Sequence, residues 1–469
     1  MPKNAAQTQS TPVQGAAGST TIQSCAPRVL IAGSNSGCGK TTITCALLSA
    51  LMQSGVQPAS FKCGPDYIDP MFHSKIIGVP SYNLDPYFYQ ENTLKYLLAQ
   101  HAGEISVMEG VMGLFDGMQM HSTDCSTYSV AKTTKTPVIL TLNAKGMAYS
   151  ILPMIEGFAR HKSDYTLAGV ILNQVTKGSY ALLKPMIEQH FQGKIKVFGY
   201  LPRLPEELQF ASRHLGLVTA GEVCDIQKKM AQLGEIARET LAVEEILAVA
   251  NAAPALAYQP LAIHAVGDAK PVRIAVAQDN AFCFYYQDNL QLLQQLGAEI
   301  VPFSPLRDAA LPSGVDGLYL GGGYPELYLP QLAQNEGMKA SIHAFLTAQK
   351  PCVAECGGFM YLTQSIDDLP MVGFLPGQCH NTGKLSRFGY ANFTAMQDSL
   401  LCAKGESFRG HEFHYYDCTH NGDAYLAQKQ SGKQWQGVQA GDVIHAGFAH
   451  IPFYAAPILA VRFLEKCRE

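Results

Sequence analysis

Arg28-Val-Leu-Ile-Ala-Gly-Ser-Asn-Ser-Gly-Cys-Gly-Lys-Thr-Thr42 begins as a short apolar run, continues as a glycine-rich loop and ends where a helix is expected to start. The run predicts a buried strand, and the apolar spacing from Thr42 to Leu51 predicts a helix. Backbone amides of such a loop and the positive end of the helix bind phosphate groups. This order of strand, loop and helix predicts a nucleotide site.

Residue types within this loop match phosphate chemistry. Lys40 is expected to hold the β- and γ-phosphates, and the Thr41 hydroxyl is expected to bind Mg²⁺. Glycines let the backbone approach the phosphates; the predicted ATP-binding residues of the loop are Gly37, Gly39, Lys40, Thr41 and Thr42. The strict phosphate-loop pattern has glycine where this chain has Ser34, and a glycine-rich turn of a dehydrogenase-like fold is the alternative. The strand–loop–helix context favours the nucleotide site.

Apolar strand-like runs and helical segments alternate through the first half of the chain. The runs are 105–108, 137–142, 167–172 and 195–201, and helical spacing lies between them, for example at 92–100 and 184–190. This alternation predicts an α/β fold with a doubly wound parallel sheet.

Length and composition predict two domains, because 469 residues exceed what one hydrophobic core usually supports. Residues 1–26 are rich in Gln, Thr, Ser and Ala and are expected to form a disordered tail. The first domain is expected over 27–250 and an Ala/Pro-rich linker over 251–271. The second domain is expected over 272–469, where strands are predicted at 273–277, 317–320 and 352–355.

Several function classes are not favoured. The net charge of −4 gives no basic surface for nucleic acid. No apolar stretch has the length of a membrane helix. Thirteen scattered cysteines do not form a disulfide framework, so a reduced cytoplasmic location is expected.

Carboxylates follow the predicted phosphate loop in two motifs. Asp66 and Asp69 stand three residues apart beside Pro65, and Glu109 ends a predicted strand. The carboxyl ends of parallel strands face the ligand crevice, so we expect Thr41, Glu109 and Asp66 to bind the metal. Asp116 lies on the glycine-flanked loop beyond Glu109. The alternative is that these acids only form turns.

The second half of the chain contains residues typical of nucleophilic catalysis by a cysteine. Cys356 lies between a predicted strand and Gly357-Gly358, an arrangement typical of an exposed nucleophile whose pKa is lowered at a helix start. Gly322 and Gly323 follow another strand and are expected to form an oxyanion hole. His450 is the expected base. Each assignment has an alternative. Cys356 would be a buried apolar residue, the glycines would form a plain turn, and His450 would have no catalytic role.

Three stretches of the first half are similar to the signature motifs of the cobyrinate a,c-diamide synthase family. They are FKCGPDYIDP (61–70), NLDP (83–86) and EGVMGLFDG (109–117). Further matches lie at 169–175, 199–203 and 213–218, so the resemblance extends from about Val29 to the C-terminus. The phosphate loop has the length seen in dethiobiotin synthase and in these amide synthases.

The resemblance implies roles for individual residues. Asp66, Asp69 and Asp116 would help to activate substrate carboxylates, with Tyr67 beside them at the substrate. Lys62 would reach phosphate. Asn173 is expected near the adenine, although a residue at the end of a strand is also a common loop cap.

The resemblance also implies the fold and the reaction. A dethiobiotin synthase-like phosphate-loop domain would precede a class I glutamine amidotransferase-like α/β domain. The enzyme would be an ATP-dependent ligase that converts the a and c carboxylates of a corrinoid into amides through acyl phosphates, in the cobalamin pathway. Nitrogen would come from glutamine through a thioester at Cys356. Mg²⁺, ATP, glutamine and a tetrapyrrole are the implied cofactor and substrates, and a homodimer is possible.

Two alternatives remain at this point. The same chemistry would apply to another macrocycle, nickel sirohydrochlorin or hydrogenobyrinate. A protein of another class would be a regulatory ATPase fused to an inactive glutaminase, which the intact Cys356 motif and the DYID motif argue against.

One position departs from related glutaminases. Many of them have glutamate two residues after the histidine, where this chain has Pro452. The family usually has a second histidine there. The sequence therefore predicts a Cys–His pair with no acid at that position. Arg409–Tyr415 matches another family stretch, in which His411 and His414 are expected to be structural or to contact substrate.

Overall fold

The computed structural model describes residues 21–208, 220–263 and 271–469. They form two α/β halves. The family match at 213–218 and residues 264–270 of the expected linker lie outside the described residues.

The first half is built on a seven-stranded sheet in which every neighbouring pair is parallel, in the order β4-β3-β5-β2-β6-β7-β8. The strands of this half are β1 (Ile22–Ser24), β2 (Arg28–Gly33), β3 (Pro58–Cys63), β4 (Ser81–Leu84), β5 (Ile105–Glu109), β6 (Val138–Asn143), β7 (Leu167–Asn173), β8 (Lys196–Leu201) and β9 (Leu256–Tyr258). Strands β2, β3 and β5 are buried along their whole length. Parallel strands covered on both faces read as continuous apolar runs, which is the physical reason the sheet was predictable.

Helices connect these strands. They are α1 (Lys40–Gln53), α2 (Ile68–Phe72), α3 (Glu91–Gln100), α4 (Thr127–Thr134), α5 (Ile151–His161), α6 (Lys177–His190), α7 (Ala220–Thr240) and α8 (Val243–Asn251), with a π-helical turn at His73–Ile77. The predicted doubly wound parallel sheet is confirmed. Strand β3 was missed, because Ser60 and Lys62 interrupt its apolar pattern.

The ends of the first half differ from the expectation. Strand β1 falls inside the predicted tail, and it pairs antiparallel with β9, which falls inside the predicted linker. Residues 22–24 are therefore part of the folded structure, and the tail prediction was too long. The pairing places both segments against the first half.

The second half contains a six-stranded sheet in the order β12-β10-β13-β15-β23-β22. Its strands, with those of the smaller sheets, are β10 (Val272–Ala277), β11 (Phe282–Phe284), β12 (Ala298–Phe303), β13 (Gly317–Leu320), β14 (Gly322–Gly323), β15 (Cys352–Glu355), β16 (Ser365–Ile366), β17 (Leu369–Pro370), β18 (Gln378–Ala395), β19 (Ser407–Cys418), β20 (Tyr425–Gln428), β21 (Gln434–Gly437), β22 (Gln439–Ala440) and β23 (Ile444–Gly447). The helices are α9 (Gln287–Gln295), α10 (Leu329–Gln334), α11 (Glu336–Thr347), α12 (Gly357–Leu362) and α13 (Pro457–Arg468).

A long antiparallel pair, β18 and β19, extends from this half toward the first one. Tyr390 on β18 donates a hydrogen bond to Asp85 Oδ2 at 2.7 Å, and Arg409 on β19 donates to the Tyr87 carbonyl at 2.6 Å. The hairpin therefore joins the two halves beside the NLDP motif.

No helix in the described part of the chain combines the length and the apolar character needed to cross a lipid bilayer.

Candidate active site

The phosphate loop lies at the carboxyl end of β2, where the sheet order places the crevice. Gly37 and Gly39 have φ angles of 78° and 102°, a left-handed conformation that glycine adopts without steric cost. Helix α1 begins immediately after, at Lys40. The backbone of the loop therefore has the curvature that the sequence predicted.

Asn173, at the end of β7, packs against this loop. Its amide nitrogen donates to the Cys38 carbonyl at 2.8 Å, and a Cβ added at Gly39 would lie 2.1 Å from that nitrogen. Its Oδ1 accepts from the Gln174 amide, as a loop cap does. Asn173 therefore supports the shape of the phosphate loop, and its predicted contact with adenine stays a prediction.

Lys40 turns back over the loop. Its Nζ donates to the Asn35 carbonyl at 3.3 Å, and a Cβ at Gly33 would lie 2.8 Å from the same nitrogen. Burial lowers the pKa of Lys40, and the ammonium of Lys62 adds to that effect. The amino groups of Lys40 and Lys62 thus both place positive charge beside the phosphate loop. This arrangement suits a ligand with several negative charges.

Lys62, Asp69 and Glu109 form a buried ionic cluster at the ends of β3 and β5. Lys62 Nζ lies 2.5 Å from Asp69 Oδ2 and 2.9 Å from Glu109 Oε1. The Thr41 hydroxyl donates to the same Glu109 oxygen at 2.5 Å. Three positions predicted separately from sequence therefore share one network with the phosphate loop.

The carboxylates of this cluster differ in acidity. Burial acts to raise the pKa of Asp69, but the Lys62 ammonium outweighs it and lowers this pKa to about 2. Burial and the charge of Asp69 raise the pKa of Asp66 to about 6. Burial and Asp69 also raise the pKa of Glu109 to about 7. One carboxylate is thus firmly ionised, and two others titrate near neutral pH.

The oxygen atoms near Glu109 suit a magnesium ion. Glu109 Oε2 is buried without a hydrogen-bond partner among the described residues, and His73 Nε2 lies 3.4 Å from it. A carboxylate and a hydroxyl oxygen are the ligands that Mg²⁺ prefers, together with water and phosphate oxygens. In the described ranges no cluster of three or more acidic, cysteine or histidine side chains has metal-binding geometry. Thr41 and Glu109 fit the predicted metal site, whereas Asp66 accepts from the Ile68 amide.

Asp116 lies on a loop packed against the phosphate loop. Its Oδ2 accepts from the Gly113 amide at 2.8 Å, and the Leu114 amide donates to the Gly33 carbonyl at 2.8 Å. The carboxylate is solvent-exposed, and its charge contributes to the electrostatics of Lys40. Backbone hydrogen bonding therefore holds the loop that carries Asp116 against the phosphate loop.

Cys356 forms the strained elbow predicted for a nucleophile. It lies between β15 and α12 with φ 48° and ψ −103°, and its backbone amide donates to the Gly447 carbonyl at 2.7 Å. Burial raises the pKa of its thiol, and the charges of Glu326 and Glu412 raise it further. The predicted lowering of this pKa was wrong, because α12 is only six residues long and its dipole does not offset burial.

His450 and Cys356 converge at Gly322. A Cβ at Gly322 would lie 2.5 Å from His450 Cε1, 3.3 Å from its Nε2 and 3.5 Å from Cys356 Cβ. The Gly323 amide nitrogen lies 3.2 Å from the position of a Cβ at Gly357. A side chain at Gly322 would therefore fill the space between the nucleophile and its base.

An acid accompanies His450 from a position that the sequence did not indicate. Glu355 Oε2 lies 3.5 Å from His450 Nδ1, although Pro452 occupies the usual acid position. Its other oxygen accepts from the Ile451 amide at 3.2 Å and from the Tyr319 hydroxyl at 3.3 Å. The sign of this acid in the sequence is that the apolar strand-like run 352–355 ends in a glutamate, Glu355. Position 452 carries no acid, as predicted. Glu355, the residue before Cys356, lies beside His450 instead.

The two histidines of the 409–415 stretch support this centre. His411 and His450 exchange backbone hydrogen bonds at 3.3 and 3.0 Å. His414 Nε2 lies 3.0 Å from Glu412 Oε2, and its ring stacks on Phe448 at 3.9 Å. These contacts favour a structural role over the alternative of substrate contact, and the choice between them stays a prediction.

Tyr67 lies between the two centres and not in an open substrate site. Its ring centroid is 4.9 Å from that of His450, 4.5 Å from Tyr286 and 5.3 Å from Phe284. The Tyr286 hydroxyl donates to the Pro65 carbonyl at 3.4 Å. Tyr67 follows Asp66 directly, so the acidic motif of one half contacts His450, the predicted base of the other.

Two family models match the chain. The CobQ/CobB/MinD/ParA nucleotide binding domain matches residues 29–217, and the CobB/CobQ-like glutamine amidotransferase domain matches residues 273–457. Curated relatives match along nearly the whole chain. The cobyrinate a,c-diamide synthase of Listeria monocytogenes serotype 4b is 40% identical over 445 residues, 91% of this chain and 96% of that protein. The enzyme of the same name from Clostridium acetobutylicum is 39% identical over 431 residues, 91% of this chain and 97% of that protein. The one from Thermoplasma volcanium is 38% identical over 455 residues, 94% of this chain and 97% of that protein.

Proposed function

This chain belongs to the cobyrinate a,c-diamide synthase family of glutamine-hydrolysing ligases, and from that membership we propose that it amidates the a and c carboxylates of cobyrinate with ATP and glutamine. The observation that carries the proposal is a contact between the residues of the two predicted chemical centres of the chain. The DYID motif beside the phosphate loop touches, through Tyr67, the histidine that faces Cys356.

Activation of the substrate belongs to the first half. A carboxylate is a poor electrophile, because its charge repels nucleophiles and oxide is a poor leaving group. Attack of a carboxylate oxygen on the γ-phosphorus of ATP forms an acyl phosphate and releases ADP. Lys40 and Lys62 offset the charge on the phosphates. Asp116 orients the reacting groups from the loop packed against the phosphate loop.

Magnesium, when held by Thr41 and Glu109, supplies further neutralisation of phosphate charge. Lys62 hydrogen bonds to Glu109, so the ammonium keeps that carboxylate in place. Binding of the metal requires the ionised form of Glu109. Its raised pKa of about 7 therefore makes metal affinity increase with pH through neutrality.

Release of ammonia belongs to the second half. His450 takes the thiol proton, and Cys356 Sγ attacks the amide carbon of glutamine. The Gly322 and Gly323 backbone amides stabilise the oxyanion that forms. His450 then returns the proton to the leaving nitrogen, so ammonia departs and a thioester remains. Water hydrolyses the thioester to glutamate and regenerates the thiol.

Ammonia then attacks the acyl phosphate carbon, the C–O bond to phosphate breaks, and an amide and inorganic phosphate result. The distance between the centres is short, because Tyr67 is in ring contact with His450 and adjacent in the chain to Asp66.

Mass spectrometry tests the proposal. Purified enzyme is incubated with ATP, glutamine and cobyrinate, hydrogenobyrinate or nickel sirohydrochlorin in separate reactions. We expect two successive mass changes on cobyrinate, each equal to replacement of one hydroxyl by an amino group. Amidation of another macrocycle in preference would reassign the substrate. Absence of amidation on all three, by enzyme that still hydrolyses glutamine, would overturn the proposal.

A further inference from the structure

One face of the β18–β19 hairpin exposes three aromatic side chains side by side. Phe388, Phe413 and Tyr415 are 48%, 47% and 48% exposed. Their rings are in contact, at 5.3 Å between Phe388 and Phe413 and 6.3 Å between Phe413 and Tyr415. Contiguous exposed apolar surface of this kind marks a binding site. We call these three residues the aromatic face.

The aromatic face continues the surface that joins the two halves. Side chains alternate along a strand, so Arg409, His411, Phe413 and Tyr415 point to the same side of β19. Arg409 bonds to the Tyr87 carbonyl of the first half but is itself exposed, and His411 is buried beside Tyr390. Phe413 and Tyr415 continue the same row as exposed aromatic side chains.

The row leads to the carboxylate-activating motifs. A Cβ at Gly64, two residues after Lys62, would lie 3.9 Å from the Tyr390 hydroxyl. Phe388 stands two residues before Tyr390, and its ring is 5.9 Å from His411. A molecule resting on the aromatic face therefore reaches toward the start of the DYID motif.

The loop that carries Asp116 borders the same region. Gln119 on this loop lies 3.5 Å from Gln430, which follows Lys429, and Lys429 Nζ donates to the Phe388 carbonyl. Met120 is fully exposed on that loop. The opening thus has the hairpin on one side and the Asp116 loop on the other.

Positive charge accompanies the aromatic side chains. Lys384 is exposed on β18, four residues before Phe388, and Lys429 lies 5.9 Å above the Trp435 ring. The charge of Arg387 is balanced by ion pairs to Glu412 and Asp417. Lys384 and Lys429 are therefore cations that the aromatic face offers to a ligand.

We propose that the aromatic face binds the ring of the tetrapyrrole substrate, with Lys384 and Lys429 contacting its peripheral carboxylates. The inference rests on the proposed function and assigns recognition of the macrocycle to the glutaminase half. A large flat apolar ring matches a row of aromatic side chains. A polycarboxylate matches the uncompensated lysines. Held there, the ring presents an acetate side chain to Asp66 and Asp116.

The test uses the full-length double variant Phe388→Ala/Phe413→Ala. We expect KM for cobyrinate to rise about 10-fold or more, since each buried aromatic contributes to binding in this range. KM for ATP and the rate of glutamine hydrolysis should stay within two-fold of the parent. Tyr149→Ala is the matched control, because Tyr149 is 69% exposed in the first half. Lys384→Ala tests the same surface by charge and should also raise KM for cobyrinate.

A direct binding measurement accompanies the kinetics. Trp435 is the chain's one tryptophan, and it adjoins Lys429. Cobyrinate absorbs light, so its binding should quench Trp435 fluorescence in the parent and do so only at higher concentration in the variants. Unchanged KM and quenching in folded variants, while the parent amidates cobyrinate, would overturn the aromatic face and leave the proposed function standing. A changed oligomeric state with unchanged KM would show a subunit contact and overturn it as well. A parent that amidates no macrocycle would overturn both proposals.

Discussion

The ring of Tyr67 lies 4.9 Å from the ring of His450, centroid to centroid, across the boundary between the two halves. The residue before Tyr67 is Asp66, an acid of the DYID motif, and His450 faces Cys356, the proposed nucleophile. One aromatic side chain therefore separates the group expected to release ammonia from the groups expected to activate its acceptor.

Replacing Cys356 with Ala should abolish amidation from glutamine and preserve amidation from high concentrations of ammonia. In the proposed mechanism the thiol serves only to release ammonia, and its neighbours His450 and Gly322 belong to the second half. Steady-state amidation with each nitrogen source measures the split. Cys352→Ala, at the buried start of the same strand, is the control and should keep both activities. Equal loss of both activities in folded Cys356→Ala protein would contradict the division.

Replacing Glu355 with Gln should slow glutamine hydrolysis about 10- to 100-fold, since an orienting acid raises the efficiency of a histidine base. Gln keeps an oxygen for the Ile451 amide and the Tyr319 hydroxyl, so the local structure should persist. Ammonia-dependent amidation should stay near the parent rate. Glu336→Gln, on an exposed helix position, is the control. A glutaminase rate within two-fold of the parent, across pH 6 to 9, would remove Glu355 from the mechanism.

Replacing Lys40 with Ala should remove amidation from either nitrogen source. In the proposed function the loop holds the phosphates whichever source supplies ammonia, and Lys40 lies over the loop's backbone. ATP affinity by calorimetry and amidation rate are the measurements, with exposed Lys75→Ala as the control in the same half. Nearly unchanged ATP binding and rate would mean that residues 33–42 are not the nucleotide site.

Replacing Asp116 with Asn should reduce amidation about 100-fold or more through lost positioning of the reacting groups. An Asn oxygen still accepts from the Gly113 amide, so the loop should keep its shape and only the charge changes. Asp124→Asn, on the exposed end of the same loop, should have little effect. An Asp116→Asn rate within a few-fold of the parent would reduce this residue to a turn former.

Asp66 and Asp69 should have opposite effects on stability. The pKa of Asp66 is raised from 3.8 to about 6, so the folded state favours its protonated form and bears a cost above pH 6. Asp66→Asn should therefore increase the free energy of unfolding at pH 8, by at most about 3 kcal/mol, and change it little near pH 4. The pKa of Asp69 is lowered to about 2, so its ionised form stabilises the fold above pH 4, and this contribution is lost as the pH falls toward 2.

Asp69→Asn should accordingly destabilise the protein at pH 8, because Lys62 loses its closest partner. Denaturant unfolding of both variants and the parent at pH 4 and pH 8 gives the comparison. The same sign of change for the two variants at pH 8 would contradict the charge assignment of the cluster.

Sequence alone identified the fold class and most elements around the site. Strand β2, the glycines with left-handed backbone and the start of α1 follow from local sterics and apolar spacing. The elbow at Cys356 follows from local glycines in the same way. Motif resemblance supplied the family, which the comparisons confirm. The roles of individual site residues stay predictions, although their positions agree with the geometry.

Tertiary structure decided the relations between distant residues. Glu355 reaches His450 because β15 and β23 are neighbouring parallel strands, and no spacing in the chain reveals that register. The thiol pKa of Cys356 depends on burial by elements far along the chain, so a local motif predicted its direction wrongly. Tyr67 meets His450 only because the second half docks on the first. Local backbone preferences and the apolar period depend on neighbouring residues, so the sequence determines them. The contacts, charges and desolvation that set the pKa values and geometry of a site arise only when distant segments pack together.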